Sequence, residues 1–176
     1  MAHTISLPQI QVNSGLKILG GSLLIALCAQ IAIPLPFTPV PLALGSMAPL
    51  FLGAVMGKKH AFWAVILYLL EGAMGLPVFA LGGSGIARLL GPSGGYLIGY
   101  ALAAYLVGYL AEKSAAPRKT FLALIAGSAV ILLSGAMHLA SMIGVKAALY
   151  VGVLPFLAGD LGLKPLVVFS TLRKRI

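Results

Sequence analysis

Acidic side chains are nearly missing from this chain: its 176 residues hold three Asp plus Glu against twelve Lys plus Arg, and charged residues are only 9% of the whole. A soluble domain carries roughly a quarter of its residues as charges, so charge this sparse excludes an ordinary water-soluble fold. Cysteine is present once, at Cys28, which rules out an internal disulfide. The histidines, His3, His60 and His138, are scattered, and no spacing among His, Cys and carboxylates suits a metal site. A nucleotide-binding motif is also lacking. The run GGSG at 82–85 is neither followed by Lys-Ser/Thr nor preceded by a soluble strand, so it is not a phosphate loop.

What fills the chain instead is apolar: 60% of residues are hydrophobic and the mean hydropathy is +1.07. A bilayer core takes roughly 20 apolar residues per helix, and charge, Pro and Gly clusters cut the sequence into six such runs, about 17–35, 40–57, 60–76, 95–111, 120–143 and 155–172. The second and third are the shortest. Met1 to Ser14 lacks the order of a cleaved signal, so the first run is expected to stay in the mature protein. The expected fold is therefore an all-α bundle of six transmembrane helices forming one integral membrane domain over residues 1–176.

Basic residues orient this bundle. With both termini in the cytoplasm, the inner segments hold Lys17, Lys58, Lys59, Lys113, Arg118, Lys119, Arg173, Lys174 and Arg175, and the outer segments hold only Arg88 and Lys146. That asymmetry follows the positive-inside rule. The net charge of +9 then reads as an insertion signal and an attraction to anionic headgroups, not as a nucleic-acid site.

Ionisable residues inside the spans are the candidates for function, because each costs roughly 3 kcal/mol or more at the bilayer centre. They are Asp160, Lys164 and Glu71. In VLPFLAGDLGLKPLVVF, residues 153–169, Pro155 suits a first helical turn, Asp160 follows near the outer helix end, and Lys164 lies four residues on along the same face. Pro165 frees a carbonyl near residue 161. Asp160 and Lys164 either pair with each other or serve a ligand. On the same outer side, GLPVFALGGSGIARLLGPSGGYLIGY (75–100) is rich in glycine between the third and fourth helices, which suits a lid or re-entrant cover. It carries one cation, Arg88, whose planar fork matches a carboxylate. Tyr96 and Tyr100 present two rings on one face, as part of the site or as interfacial belt residues.

GLPVFA at 75–80, GPSGGYLIGY at 91–100, GVLPFLAGD at 152–160 with its nearby lysine, and the Pro-rich PLPFTPVPLAL at 34–44 together resemble the BioY family, the biotin-binding S components of energy-coupling factor (ECF) transporters. The resemblance runs in order through nearly the whole chain. It implies a subunit of the bacterial cytoplasmic membrane that captures biotin at the outer end of the bundle, with no cofactor of its own. Import energy would come from a membrane T component and two ATPases. By the same resemblance Asp160 accepts from the ureido group, Lys164 or Arg88 faces the carboxylate, and Tyr96 and Phe79 line the walls. Small residues on the first helix, Ser22 and Ala26, would dock the T component, or else pack within the bundle.

Two departures stand out. The family separates the acid and the lysine by two residues, whereas DLGLK here separates them by three, and Leu81 stands where a polar contact to the ureido group is expected. Either backbone, Ser84 or Ser93 supplies that contact, or it is absent. Glu71, Tyr100 and Ser93 are candidates for a surrounding layer; Glu71 is neutral, pairs with Arg88 or Lys164, or meets the ligand. Carriage of another small vitamin, a membrane enzyme using Asp160 and His138, and a purely structural role are the alternatives. The sequence leaves open whether the chain works alone, as a homo-oligomer or only with partners.

Overall fold

The computed structural model describes residues 13–114 and 116–173; His3, Lys174 and Arg175 lie outside them. Helix α1, Ser14–Gln30, opens after Asn13, whose carbonyl accepts from Lys17 N at 3.1 Å. It stops five residues earlier than expected. Four prolines between Pro34 and Pro41 cannot continue a helix, and the chain turns extended instead. Strands β1 (Ala32–Ile33) and β2 (Leu42–Ala43) pair antiparallel, Ala32 with Ala43 and Ile33 with Leu42. The ribbon tip folds inward: Val40 donates its N–H to Thr38 Oγ1 at 3.2 Å and is only 5% exposed.

Helix α2, Met47–Ala73, is interrupted at Gly57, where φ is 77° and ψ is 168°. Helix α4, Gly94–Lys113, shows that the chain reverses there. Gly53 packs on Ala104 and Val107, Gly57 lies beside Glu112, Phe62 meets Tyr105 with ring centroids 6.2 Å apart, and Gly72 lies under Phe79 near the start of the loop. The arm over residues 47–56 thus runs alongside α4 toward its C-terminus, and the arm over 58–73 returns. These arms are the expected second and third helical runs, both shorter than anticipated. Glu112 fixes the reversal: Oε1 accepts from Lys58 N at 2.9 Å and Oε2 pairs with Lys58 Nζ at 2.9 Å, which caps the returning arm with a carboxylate.

A short helix α3, Ile86–Leu90, lies in the glycine-rich loop ahead of α4, and helix α5, Pro117–Ile143, starts with proline in its first turn. Gly144, with φ 86°, ends α5. Helical conformation then resumes at once as α6 (Val145–Ala148), α7 (Leu154–Leu157) and α8 (Lys164–Arg173), joined by π-helical turns over Leu149–Val153 and Ala158–Leu163. This corrects the expected start near residue 155: Pro155 is interior to the helical run and not in its first turn. Each π turn lies just before a proline, Pro155 or Pro165, whose missing N–H and ring disturb the preceding turn. Asp160 therefore sits inside a π turn, and the favourable helix N-terminus expected for it is absent.

By length and composition three segments can cross a membrane, Leu44–Ala73, Gly94–Lys113 and Pro117–Ile143, and a fourth if the pair Val145–Leu157 and Gly159–Leu172, bent by 41°, counts as one. The first of these is the helical hairpin reversing at Gly57. Large apolar residues such as Leu23, Leu102, Leu133 and Met137 point outward, each more than half exposed, while Gly and Ala let helices approach inside. Gly99 meets Ser134 and Ile131 of α5, and Gly108 meets the Gly57–Lys58 backbone.

Gly57 is the position where this fold most needs glycine. A Cβ would meet Glu112 Oε1 at 2.7 Å in a left-handed backbone conformation. Gly57→Ala is expected to destabilise the detergent-solubilised protein by roughly 1–2 kcal/mol. Thermal unfolding checks this, and an unchanged midpoint would show that the reversal does not depend on glycine.

Candidate binding site

The β1–β2 ribbon, the loop carrying α3, the first turns of α4 and the π turn around Asp160 converge on two adjoining pockets. Val40, Pro41, Ala43, Tyr96 and Tyr100 line both. Phe79, Ala80, Arg88 and Ser93 complete the chamber under the loop; Ser46, Ile131, Phe156, Asp160 and Lys164 complete the one toward the last helix.

At the inner chamber the lysine and the acid do pair. Lys164 Nζ contacts Asp160 Oδ1 and donates a hydrogen bond to Ser46 Oγ at 2.7 Å, with Asp160 5% and Lys164 7% exposed. Charges so far from water persist only with partners. Beyond Lys164, no donor from the surrounding protein reaches Asp160 Oδ1. An ionised carboxylate has several lone-pair sites, so the chamber retains an acceptor for a ligand N–H.

The outer chamber has the complementary charge. Arg88 is half-buried and donates from one Nη to Ala80 O at 3.4 Å, and among the described residues no carboxylate lies within ion-pair distance of it. Phe79, 1% exposed, stacks edge-on against Tyr68 at 5.5 Å and covers Gly72, where any Cβ would collide with the ring. Tyr96 donates its hydroxyl to Gly152 O at 2.6 Å, lies flat on Gly135, and tilts toward Phe156 at 6.2 Å. Tyr96 and Tyr100 are each 7% exposed, so both face inward and neither is a belt residue.

Other expected residues lie elsewhere. Ser84 is exposed on the loop, and Leu81, φ 60° and 49% exposed, lines neither chamber. Glu71 meets neither Arg88 nor Lys164: Ser22 Oγ lies 2.8 and 2.7 Å from its two carboxylate oxygens. That contact corrects the docking assignment, since Ser22 is fully buried and Ala26 is 9% exposed, both facing into the bundle. A carboxylate in this apolar setting requires a donor, and Ser22 supplies it. His138 Nε2 lies 3.1 Å from Gly91 O, where it holds the end of the loop and not Asp160.

Sequence reasoning missed Gln30. At the end of α1 its Nε2 donates to Pro77 O and Phe79 O, both at 3.2 Å, and its Oε1 accepts from Gly82 N at 3.2 Å. One amide thus ties the loop to α1 by three bonds. Its only signal was being the sole polar side chain closing an apolar helix. Val40, Pro41 and Ala43 were quoted as a connection, yet they form a wall.

A helical membrane bundle whose outer loops roof a polar chamber is the architecture of a substrate-capturing subunit. Among solved structures, the S component for biotin from an ECF-type ABC transporter matches with a TM-score of 0.84, 27% identity, and coverage of 96% of this chain and 93% of that one. The sequence model of the BioY family matches residues 2–175, and the chain belongs to that family. A biotin transporter BioY from Thermotoga maritima is 40% identical over 139 residues, 78% of this chain and 81% of the relative. A probable biotin transporter BioY from Pyrococcus horikoshii is 38% identical over 133 residues, 76% and 78% of the two chains.

Gln30→Ala should release the roof without unfolding the bundle, because its partners are loop backbone groups. Hydrogen exchange at the Gly82 amide should accelerate while amides in the middle of α4 and α5 keep their protection. Unaltered exchange at Gly82 would mean that the loop is held by other contacts.

Proposed function

We propose that this chain is the substrate-binding membrane subunit for biotin uptake, capturing biotin in the paired chambers for ATP-driven import by partner subunits. The observation that carries the reading is a buried carboxylate met by Lys164 alone at one end of a wall-lined space, and a cation without an acid at the other. Biotin is complementary to that arrangement: ureido N–H groups at one end, an apolar ring and chain between, and a carboxylate at the far end. In this orientation Asp160 Oδ1 accepts from the ureido group. Tyr96, Tyr100, Phe79 and Val40 enclose the apolar part, and Arg88 faces the carboxylate. Lys164 is already neutralised by Asp160 and bonded to Ser46, which favours Arg88 as the counter-ion. Ser93 lies beside Arg88 in the outer chamber and offers a further hydroxyl.

On this reading residues 1–176 form one membrane domain with six crossings, the hairpin arms of α2 counting as two, and both termini in the cytoplasm of a bacterium. It is a binding subunit and not an enzyme, needs no cofactor, and depends on a T component and ATPases for energy. With Ser22 and Ala26 turned inward, the outer side of α1 remains for the T component, where Leu16, Leu23 and Leu27 are exposed and open space surrounds Gly15 and Gly20. A different small vitamin is the second reading, favoured by Leu81, an apolar side chain that lines neither chamber and so supplies no polar contact.

Equilibrium binding to the purified chain tests the proposal. Biotin should bind, and Asp160→Asn should weaken it by about 10–100-fold, the worth of a charge-assisted buried hydrogen bond. Wild-type protein should prefer biotin to biotinamide, and Arg88→Gln should erase that preference. Folded protein that ignores biotin but takes another vitamin would select the second reading. A preference erased by Lys164→Gln instead would exchange the two cations.

A further inference from the structure

At the opposite end of the bundle, the returning arm of α2 and helix α4 carry two side-by-side stripes unrelated to the chambers. On α4, Ile98, Leu102, Tyr105, Tyr109 and Lys113 repeat at three- and four-residue steps and all are exposed. On the returning arm, Lys59, Trp63 and Leu70, spaced by four and seven residues, are exposed as well. The stripes meet where Phe62 packs edge-on between Trp63 at 5.6 Å and Tyr105 at 6.2 Å. Each runs from aliphatic through aromatic to cationic, the order of a leaflet from acyl chains through the interfacial zone to phosphate.

The charge at the end of the stripes is unbalanced. Lys113 Nζ stands over the Tyr109 ring at 4.2 Å and Lys58 Nζ at 5.2 Å. The chain has only three acids. Glu112 is taken by Lys58, Asp160 by Lys164, and Glu71 by Ser22. Among the described residues Lys59 and Lys113 therefore have no carboxylate within ion-pair distance. Two ammonium groups held on one ring, with the single carboxylate already paired to Lys58, leave a fixed positive site for an anion.

We infer that this face binds an anionic phospholipid of the leaflet at the Gly57 end of the bundle. Lys59 and Lys113 engage the headgroup phosphate, Tyr109 and Trp63 lie at the glycerol level, and Tyr105, Leu102 and Leu70 border the acyl chains. Phospholipid fits better than an acidic protein segment, because the stripes continue from cations into lipid-exposed aliphatic surface.

Trp63 is the only tryptophan, so the protein carries its own reporter at the site. The whole chain is reconstituted in phosphatidylcholine vesicles containing the same minor fraction of dibrominated phosphatidylglycerol or dibrominated phosphatidylcholine, and Trp63 quenching is compared. Brominated phosphatidylglycerol should quench more strongly, with an enrichment of about fivefold for each engaged lysine. Lys59→Gln with Lys113→Gln should abolish the difference, whereas Arg118→Gln with Lys119→Gln, an equal loss of charge on the exposed start of α5, should retain it. Thermal unfolding shows that both variants are folded. Equal quenching by the two lipids would overturn the inference, as would equal loss in the two variants, which would reduce the effect to diffuse charge. An acidic protein segment as the true occupant gives the first of these results.

Discussion

A lysine and an aspartate buried side by side set the terms for the rest of this molecule. Removing both charges from water costs several kcal/mol for each, and their mutual attraction offsets this only when the remaining donors and acceptors are used. Lys164 spends a hydrogen bond on Ser46, which sits in the turn just ahead of α2 and so fixes where the hairpin begins relative to the last helix. The π turn over Ala158–Leu163 supplies the geometry, carrying Asp160 to the chamber with Lys164 one turn later. The lone-pair sites of the Asp160 carboxylate that Lys164 does not occupy are the acceptors a ligand can take. The same contact thus serves as the joint between helices and as the floor of the site.

Irregular backbone at a membrane surface must also satisfy its polar groups, and the roof does so from three sides. Gln30 holds the segment around Phe79 and Gly82 to α1, Gly85 N donates to Gly72 O at 2.7 Å, and His138 holds Gly91 to α5. Arg88 hangs from this roof, attached only to Ala80 O, which leaves its guanidinium available to the chamber below. A loop tied at its ends but carrying a lightly held cation can close on an anionic ligand without rebuilding the bundle.

Much of this was legible in the sequence for physical reasons. Apolar runs and their Gly, Pro and charge breaks gave the helical segments. The cost of intramembrane charge singled out Asp160, Lys164 and Glu71, and the first two do lie together against the chamber with Tyr96 and Tyr100. Partner choice was less legible, since it depends on helix rotation. Glu71 turns to α1 and meets Ser22, so a small-residue pair that looked suited to a partner protein is consumed inside. Helix ends were obscured by proline: Pro155 resembles a helix start, yet the chain absorbs it through a π turn and begins the helix at Val145. Gln30 was invisible because its role exists only once a loop distant in sequence arrives beside it.

The proposed orientation sets biotin between an acceptor at Asp160 and a cation at Arg88. A crystal structure of the protein with biotin bound tests it most directly. The ureido nitrogen is expected within hydrogen-bond distance of the Asp160 carboxylate and the biotin carboxylate against the Arg88 guanidinium, with Lys164 still paired to Asp160. A carboxylate seated on Lys164 beside Ser46, with Arg88 turned to solvent, would contradict it.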